Sequence, residues 1–256
     1  MKTKLVIKNN LKFLVREGQE DEGIINEILK SDIYFLSKII GELSTYKENP
    51  VIIDIGAHIG SFSIYFSNKL KNSHIYSYEP FKESFKIFRK NLSLNKIKNI
   101  KAFNCAVWKN KEKKKLNLGR YPSLHSFYVK SSKSIDVETT TLNEILIKNQ
   151  IQKCHLLKID AEGSEYSILS GISKKNIEKI ERVIIEYHNF LIRGDLIRLS
   201  VFLTRNNYKI KIIPITSKDY GIIHAIKNRE NVLLPNIFEI AKSRVFYYLS
   251  RYGFLR

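Results

Sequence analysis

The chain of 256 residues carries 44 Lys+Arg against 25 Asp+Glu, a formal net charge of +19, and is 43% hydrophobic. That hydrophobic share excludes a disordered chain, and the length allows one sizeable core with a small appendage. Cys105 and Cys154 are too few for a disulfide framework, no apolar run reaches roughly 18 residues, and no signal-peptide pattern opens the sequence, so a cytoplasmic protein is expected. The charge favours polyanions such as nucleic acid, acidic glycans or an anionic membrane surface. The lysines are dispersed, however, and a compositional bias accounts for them equally well.

Residues 1–46 read as an N-terminal helical cap. LVIKNNLKFLV alternates apolar and polar residues like a hairpin. DEGIINEILKSDIYFLSKIIGEL then has helical spacing through Ile24, Ile28, Leu36, Ile39, Ile40 and Leu43. From residue 47 to 230 β and α patterns alternate. VIID is the end of a buried strand, and Gly56 and Gly60 turn the chain into the helix SFSIYFSNKL. A second strand, HIYSYE, ends on Glu79 followed by Pro80. Strand, glycine turn, helix and acid-ended strand make the nucleotide-cradling half of a Rossmann-like fold: Gly56 lets a ligand approach the backbone, and Glu79 offers two oxygens to ribose hydroxyls. FKESFKIFRKNLSLN is a helix with Phe81, Phe85, Phe88 and Leu92 on its apolar face, and IKAFNCAVW is a third strand.

The lysine run KNKEKKK (109–115) reads as a solvated turn, with anion binding as the less favoured alternative. Residues 116–134, LNLGRYPSLHSFYVKSSKS, lack periodicity and are long for a connection within a compact domain, so a substrate lid is expected there, with Arg120, Tyr121, His125 and Tyr128 as contact groups. IDVETTT alternates like a strand, Thr141 is placed to cap LNEILIKNQ, and CHLLKID is an apolar strand running into AEGSEYSILSG, a short helix with Gly171 as its C-cap. RVIIEYH is a further buried strand, followed by the helix LIRGDLIRLSVFLTRNN. YKIKIIPI and DYGIIHAIK form an antiparallel pair around Thr216 to Lys218. Residues 231–256 form a basic amphipathic helix that either packs on its own domain or touches a membrane surface.

Acids gather where strands of such a sheet end at the ligand-binding edge: Asp54, Glu79, the set Asp160, Glu162 and Glu165, and then Glu186 with His188. The last two share a face, since strand side chains alternate with period two. Acids at that edge can hold a hydroxyl, take its proton or bind a divalent cation. Asp160, Glu162 and Glu186 could together hold such an ion, but nothing in the spacing demands one and no metal ligand is assigned.

DIGAHIG, YEP, LKIDAEGSE and IIEYH, in this order and spacing, resemble the FkbM-type family of S-adenosylmethionine-dependent methyltransferases over about residues 50–228. LKIDAEGSE is the most specific piece. His58 stands where the generic turn has a third glycine, and the FkbM-type pattern also carries only two. The resemblance implies an α/β fold: a Rossmann-like class I methyltransferase with a mostly parallel seven-stranded sheet, the last two strands antiparallel, and helices on both faces. It implies methyl transfer to the oxygen of a sugar or other small molecule. Asp54, Gly56, Ala57 and Gly60 would line the methionine and ribose side of S-adenosylmethionine, Glu79 would bind the ribose, Ala106 would approach the adenine, and Asp160 and Glu162 would lie beside the methyl group.

An alcohol is a poor nucleophile until its proton begins to leave, and His188, with an ordinary pKa near neutrality, is the first candidate for the base, Asp160 the second. A structural, hydrogen-bonded role for His188 is an equal alternative. Lys158 alternates with Asp160 and either stabilises an alkoxide or is a salt-bridged neighbour; Glu162 with Gly163 either serves the chemistry or shapes the turn. The expected function is O-methylation of a glycan, glycolipid or other hydroxylated small molecule, in cell-surface polysaccharide assembly. An RNA methyltransferase is the alternative, motivated by charge; an NAD-dependent oxidoreductase or a non-catalytic cofactor-binding module comes third. The acceptor and the oligomeric state cannot be read from the chain.

Overall fold

The computed structural model describes residues 2–29, 34, 36–217 and 219–228. The helix expected over 231–256 lies outside the described residues. The chain opens with a hairpin, β1 (Thr3–Lys8) and β2 (Leu11–Arg16), then α1 (Asp21–Leu29) and α2 (Leu36–Ser44). The core follows as β3 (Val51–Ile55), α3 (Ser61–Lys69), β4 (His74–Tyr78), α4 (Lys82–Leu94) and β5 (Ile100–Phe103). Next come the short strand β6 (Ala106–Val107), β7 (Lys113–Asn117), β8 (Ser134–Thr140) and α5 (Leu142–Lys148). The chain continues through β9 (Leu156–Ile159), α6 (Glu165–Ser170), α7 (Lys174–Ile177), β10 (Arg182–His188) and α8 (Asp195–Arg205), and closes on the hairpin β11 (Tyr208–Ser217) and β12 (Tyr220–Lys227).

Seven strands form the central sheet in the order β11-β12-β10-β9-β3-β4-β5. The pairs β10/β9, β9/β3, β3/β4 and β4/β5 are parallel, while β12 runs antiparallel to both neighbours. The apolar runs of β3, β9 and β10 follow from helices covering both faces, which leave no wet side on which polar residues could alternate. Odd-numbered Ile53, Leu157 and Ile185 pack with Leu142, Leu146, Leu169 and Leu199 on one face. Even-numbered Ile52, Leu156 and Ile184 pack on the other with Phe62, Phe66 and Phe88 and with Phe13, Val15, Ile25, Leu36 and Ile39 from the N-terminal segment. The first 46 residues therefore supply part of one core layer. Connectivity reverses between β3 and β9, and in open α/β sheets ligands bind at the carboxyl ends of the strands flanking such a reversal.

Two readings from sequence change here. The predicted third strand IKAFNCAVW breaks after Phe103; Ala106 and Val107 leave the main sheet and pair with β8 in a second sheet of order β6-β8-β7. Lys113–Lys115 is not turn but the start of β7, antiparallel to β8, with Lys115 3.3 Å from Asp136 and Lys113 4.0 Å from Glu138. Cross-strand acids neutralise the lysines, which is why so charged a run tolerates pairing.

One buried ion pair fastens the N-terminal hairpin. Arg16 and Asp21 are 1% and 0% exposed, and the guanidinium grips both carboxylate oxygens, Nε at 2.9 Å from Oδ2 and Nη2 at 2.6 Å from Oδ1. Its Nη1 donates to Ser84 Oγ on α4 at 3.0 Å, and its Nη2 meets His58 Nε2 at 2.5 Å. Removing one member of such a pair strands the other charge in a dry interior. Asp21→Ala is expected to destabilise the fold by about 3–5 kcal/mol in urea denaturation; a loss below about 1 kcal/mol, the range of exposed pairs, would contradict the pair's structural role.

Candidate active site

The glycine turn after β3 is shaped by what lies against it. Gly56 has φ +77°, and a Cβ there would stand 1.7 Å from the Asp160 carbonyl oxygen, so only glycine lets the end of β9 press against this turn. Gly60, at φ +87°, answers a different neighbour, because its Cβ would stand 2.0 Å from the Phe88 ring. Gly60 is thus a packing requirement between α3 and α4. The backbone N–H groups of Gly56 and Ala57 both donate to the Tyr78 carbonyl at 3.0 Å, which joins the turn to β4. His58 adopts φ +51°, so the left-handed conformation of a glycine is held here by a histidine. Its Nε2 receives the Arg16 proton and its pKa falls to about 4, first because it is buried, so the ring is neutral.

Glu79 follows β4 and its carboxylate is held by backbone: the His58 N–H donates to Oε2 and the Phe81 N–H to Oε1, each at 2.8 Å. Burial pushes its pKa up to about 7 against the pull of those two donors. Each oxygen keeps a further lone pair.

Across the turn lies a carboxylate cluster built on the ends of β9 and β10. Glu165, at the start of α6, is fully buried, and its Oε1 accepts from the Ala161 and Gly163 N–H groups at 3.0 and 3.1 Å, bracing the AEGSE turn. The same oxygen stands 3.1 Å from His188 Nδ1. His188 Nε2 faces Glu162 Oε1 at 3.5 Å and Glu186 Oε1 at 3.7 Å. Tyr34 donates to Glu186 Oε2, and Tyr220 donates to Oε1 at 2.5 Å. Lys158 Nζ sits 3.4 Å from Asp54, 3.3 Å from Asp160, and donates to the Gly56 carbonyl at 2.9 Å.

Charge in this cluster is set by burial and crowding. Burial pushes Glu162 up to about 8 and Glu186 up to about 7, with the Asp160 charge adding to both and His188 opposing. Burial disfavours a charged ring at His188, yet Glu162, Glu165 and Glu186 outweigh it and hold the pKa well above the ordinary histidine value. These three carboxylates thus favour the protonated form of His188, the residue expected from sequence to be the base. Burial likewise works against charged Lys158, but Asp160, Asp54 and Glu186 overcome it and raise its pKa. Its contacts tie the glycine turn to the cluster, the salt-bridged role of the two that its position allowed.

These walls enclose a cavity of about 540 Å³, within the range of small-molecule and cofactor sites. Gly56, Ala57, Glu79, Ala106, Lys158, Asp160, Glu162 and His188 line it. Two residues expected there do not. Asp54 is fully buried behind the wall, receives the Ser63 hydroxyl at 2.6 Å and pairs with Lys158; Gly60 is turned to Phe88. From the segment 116–134, Leu116 and Pro122 to Phe127 line the cavity. Pro122–Leu124 form a single 3-10 turn, the Ser123 N–H donates to Glu20 Oε1 at 3.0 Å, and Ser126 Oγ donates to the Glu162 carbonyl at 2.5 Å. Of the contact groups expected in this loop, His125 lines the cavity, while Arg120, Tyr121 and Tyr128 lie off it. Sequence reasoning missed Arg16, Tyr34 and Tyr220, which reach the site from elements far away in the chain; a charged residue directly after Phe13, Leu14 and Val15 was the one available sign, at Arg16.

A glycine turn at the reversal of a mostly parallel seven-stranded sheet, an acid closing the next strand and acids across the cavity define a class I methyltransferase site. Residues 54–210 match the model of the methyltransferase FkbM domain, and the chain belongs to that family of S-adenosylmethionine-dependent methyltransferases. The chain is 24% identical over 217 residues to Methyltransferase 1 of Beauveria bassiana (strain ARSEF 2860), covering 73% of this chain and 85% of that protein. It is equally 24% identical over 217 residues to Methyltransferase sdnD of Sordaria araneosa, covering 71% and 80%. Among solved structures, methyltransferase FkbM from Methylobacillus flagellatus KT shares the fold with a TM-score of 0.52 and 19% identity, over 77% of this chain and 47% of that one. The residues present fit the cofactor: Glu79 lines the cavity and keeps lone pairs open, and the buried His58 Nδ1 has no partner among the described residues.

Proposed function

We propose that the protein methylates a hydroxyl oxygen of a glycan, glycolipid or other hydroxylated small molecule, as a step in polysaccharide or glycolipid assembly on the cytoplasmic side. Among the described residues no helix is long and apolar enough to cross a membrane. S-adenosylmethionine supplies a methyl group on a positively charged sulfur, open to in-line attack by an acceptor oxygen. Glu79 accepts the ribose hydroxyls, Gly56 and Ala57 border the methionine portion, Ala106 borders the adenine, and Asp160 and Glu162 stand where the acceptor enters. Asp54 supports the cradle through Lys158. Positioning supplies much of the acceleration in such a displacement, and a carboxylate of the cluster takes the acceptor proton.

The observation that carries this reading is the charge of the cavity. Glu20, Glu27, Glu79, Asp160, Glu162 and Glu186 line it, and Lys158 is the one lysine or arginine among the described lining residues. Such a wall offers a phosphate backbone a single lysine and no arginine among its described residues, which counts against RNA despite the net charge of +19. Ile24, Ile28, Leu124 and Phe190 share the lining, so the acceptor has an apolar portion beside its hydroxyl.

Mass spectrometry of reactions with hydroxylated acceptors should find a base-stable methyl ether, together with weak RNA filter binding at physiological salt; steep, salt-dependent RNA binding and a methylated base would favour the alternative. The cofactor assignment has its own test. The complex needs Glu79 ionised, and with a pKa of about 7 a proton competes below neutrality. Calorimetric affinity for S-adenosylmethionine should therefore fall about tenfold from pH 8 to pH 6 in the wild type. In Glu79→Gln affinity should be weaker at pH 8, with this part of the pH dependence gone; an unchanged slope would remove Glu79 from the ribose.

A further inference from the structure

The acid cluster also contains the makings of a cation site. One ligand atom each from Asp160, Glu186 and His188 lies within 4.8 Å of the others, on the ends of the neighbouring strands β9 and β10. All three residues line the cavity. The histidine is prepared for the task. It is 2% exposed, and its Nδ1 points at the Glu165 oxygen that already accepts two backbone N–H groups, so Nδ1 carries a proton and donates. The other nitrogen, Nε2, is aimed at the acids and makes no hydrogen bond among the described residues; the nearest carboxylate oxygens stand 3.5 and 3.7 Å away. A ring nitrogen facing two carboxylates, on a ring whose far side is anchored by a third, is the arrangement of a metal-ligating histidine with its outer support.

The carboxylates are equally well prepared. The Tyr34 and Tyr220 hydroxyls clamp the two oxygens of Glu186, fixing its direction at the cost of two donors. Asp160 shares Lys158 with Asp54, leaving Asp160, Glu162 and Glu186 to crowd together with a single ammonium between them and the turn. Like charges packed this closely in a poorly hydrated wall need a counter-charge. A divalent ion held between these side chains would supply it.

We propose that Asp160, Glu186 and His188 bind one divalent cation of the Mn²⁺ class, whose open coordination positions face the cavity and receive the acceptor's oxygen. Two carboxylate oxygens with one imidazole nitrogen suit Mn²⁺ among the hard divalent ions, and three protein ligands leave half of an octahedral shell for water or substrate. Two neighbouring hydroxyls of an acceptor fit those positions better than one, so a vicinal diol is the favoured substrate class. A bound cation polarises the acceptor oxygen and eases departure of its proton. This role rests on the methyltransferase reading above; the binding of the ion does not.

The test is therefore a binding measurement. Full-length protein stripped with chelator is titrated with Mn²⁺, read by the loss of free-Mn²⁺ electron paramagnetic resonance and by calorimetry, with S-adenosylmethionine affinity measured in parallel. The expected result is one Mn²⁺ per chain, weakened at least about tenfold in Glu186→Gln and in Asp160→Asn, and unchanged in Glu22→Gln, a surface acid paired with Lys4. Circular dichroism checks folding, and Asp160→Asn, at a partly exposed position, decides the matter if Glu186→Gln does not fold. No saturable Mn²⁺ binding, or binding that both variants retain, overturns the site. Mn²⁺ binding without S-adenosylmethionine binding would instead leave the ion site standing and remove the methyltransferase reading.

Discussion

The end of β9 presses against the glycine turn that follows β3, and the rest of the site depends on that contact. Gly56 lies so near the Asp160 carbonyl that no side chain fits between them. Two parallel strands on either side of the reversal in the sheet thereby present a single wall. On one side of it the chain turns and reaches Glu79; on the other it delivers Asp160, Glu162 and the braced AEGSE turn. Lys158 crosses the same seam, donating to the Gly56 carbonyl while pairing with Asp54 and Asp160. The glycine turn and the acid cluster are therefore positioned by one another.

A second dependence runs to the N-terminus. Arg16 pins the hairpin to Asp21, reaches Ser84 on α4 and meets His58, whose backbone N–H in turn holds Glu79. One residue, His58, links the buried ion pair to Glu79. Tyr34 extends the same N-terminal segment to Glu186 on the opposite side of the cavity. The first 46 residues consequently do more than cover the sheet: they supply part of one core layer and outer support to both halves of the site.

What could be read from sequence follows from which features are local. β3, β9 and β10 were legible because strands buried on both faces read as apolar runs, and because their acids fall where such strands end. Glu186 and His188 could be placed on one face by period alone. The second sheet could not be seen: Asn104 and Cys105 carry no strong break signal, and in Lys113–Lys115 uniform charge hides the alternation that Asp136 and Glu138 neutralise from the partner strand. Gly60 was legible as a glycine requirement but not as a packing one, since Phe88 lies a helix away. The shift at His188 was beyond the sequence altogether, because three carboxylates, from a turn, a helix and a strand, set it.

The central claim is that one cavity holds S-adenosylmethionine with its ribose on Glu79 and its reacting end toward the acids of β9 and β10. A crystal structure with S-adenosylhomocysteine tests this most directly. The account predicts both ribose hydroxyls on the Glu79 carboxylate, the adenine beside Ala106, and the sulfur turned toward Asp160 and Glu162. A nucleoside bound elsewhere, or one in this cavity whose ribose leaves Glu79 untouched, would contradict it.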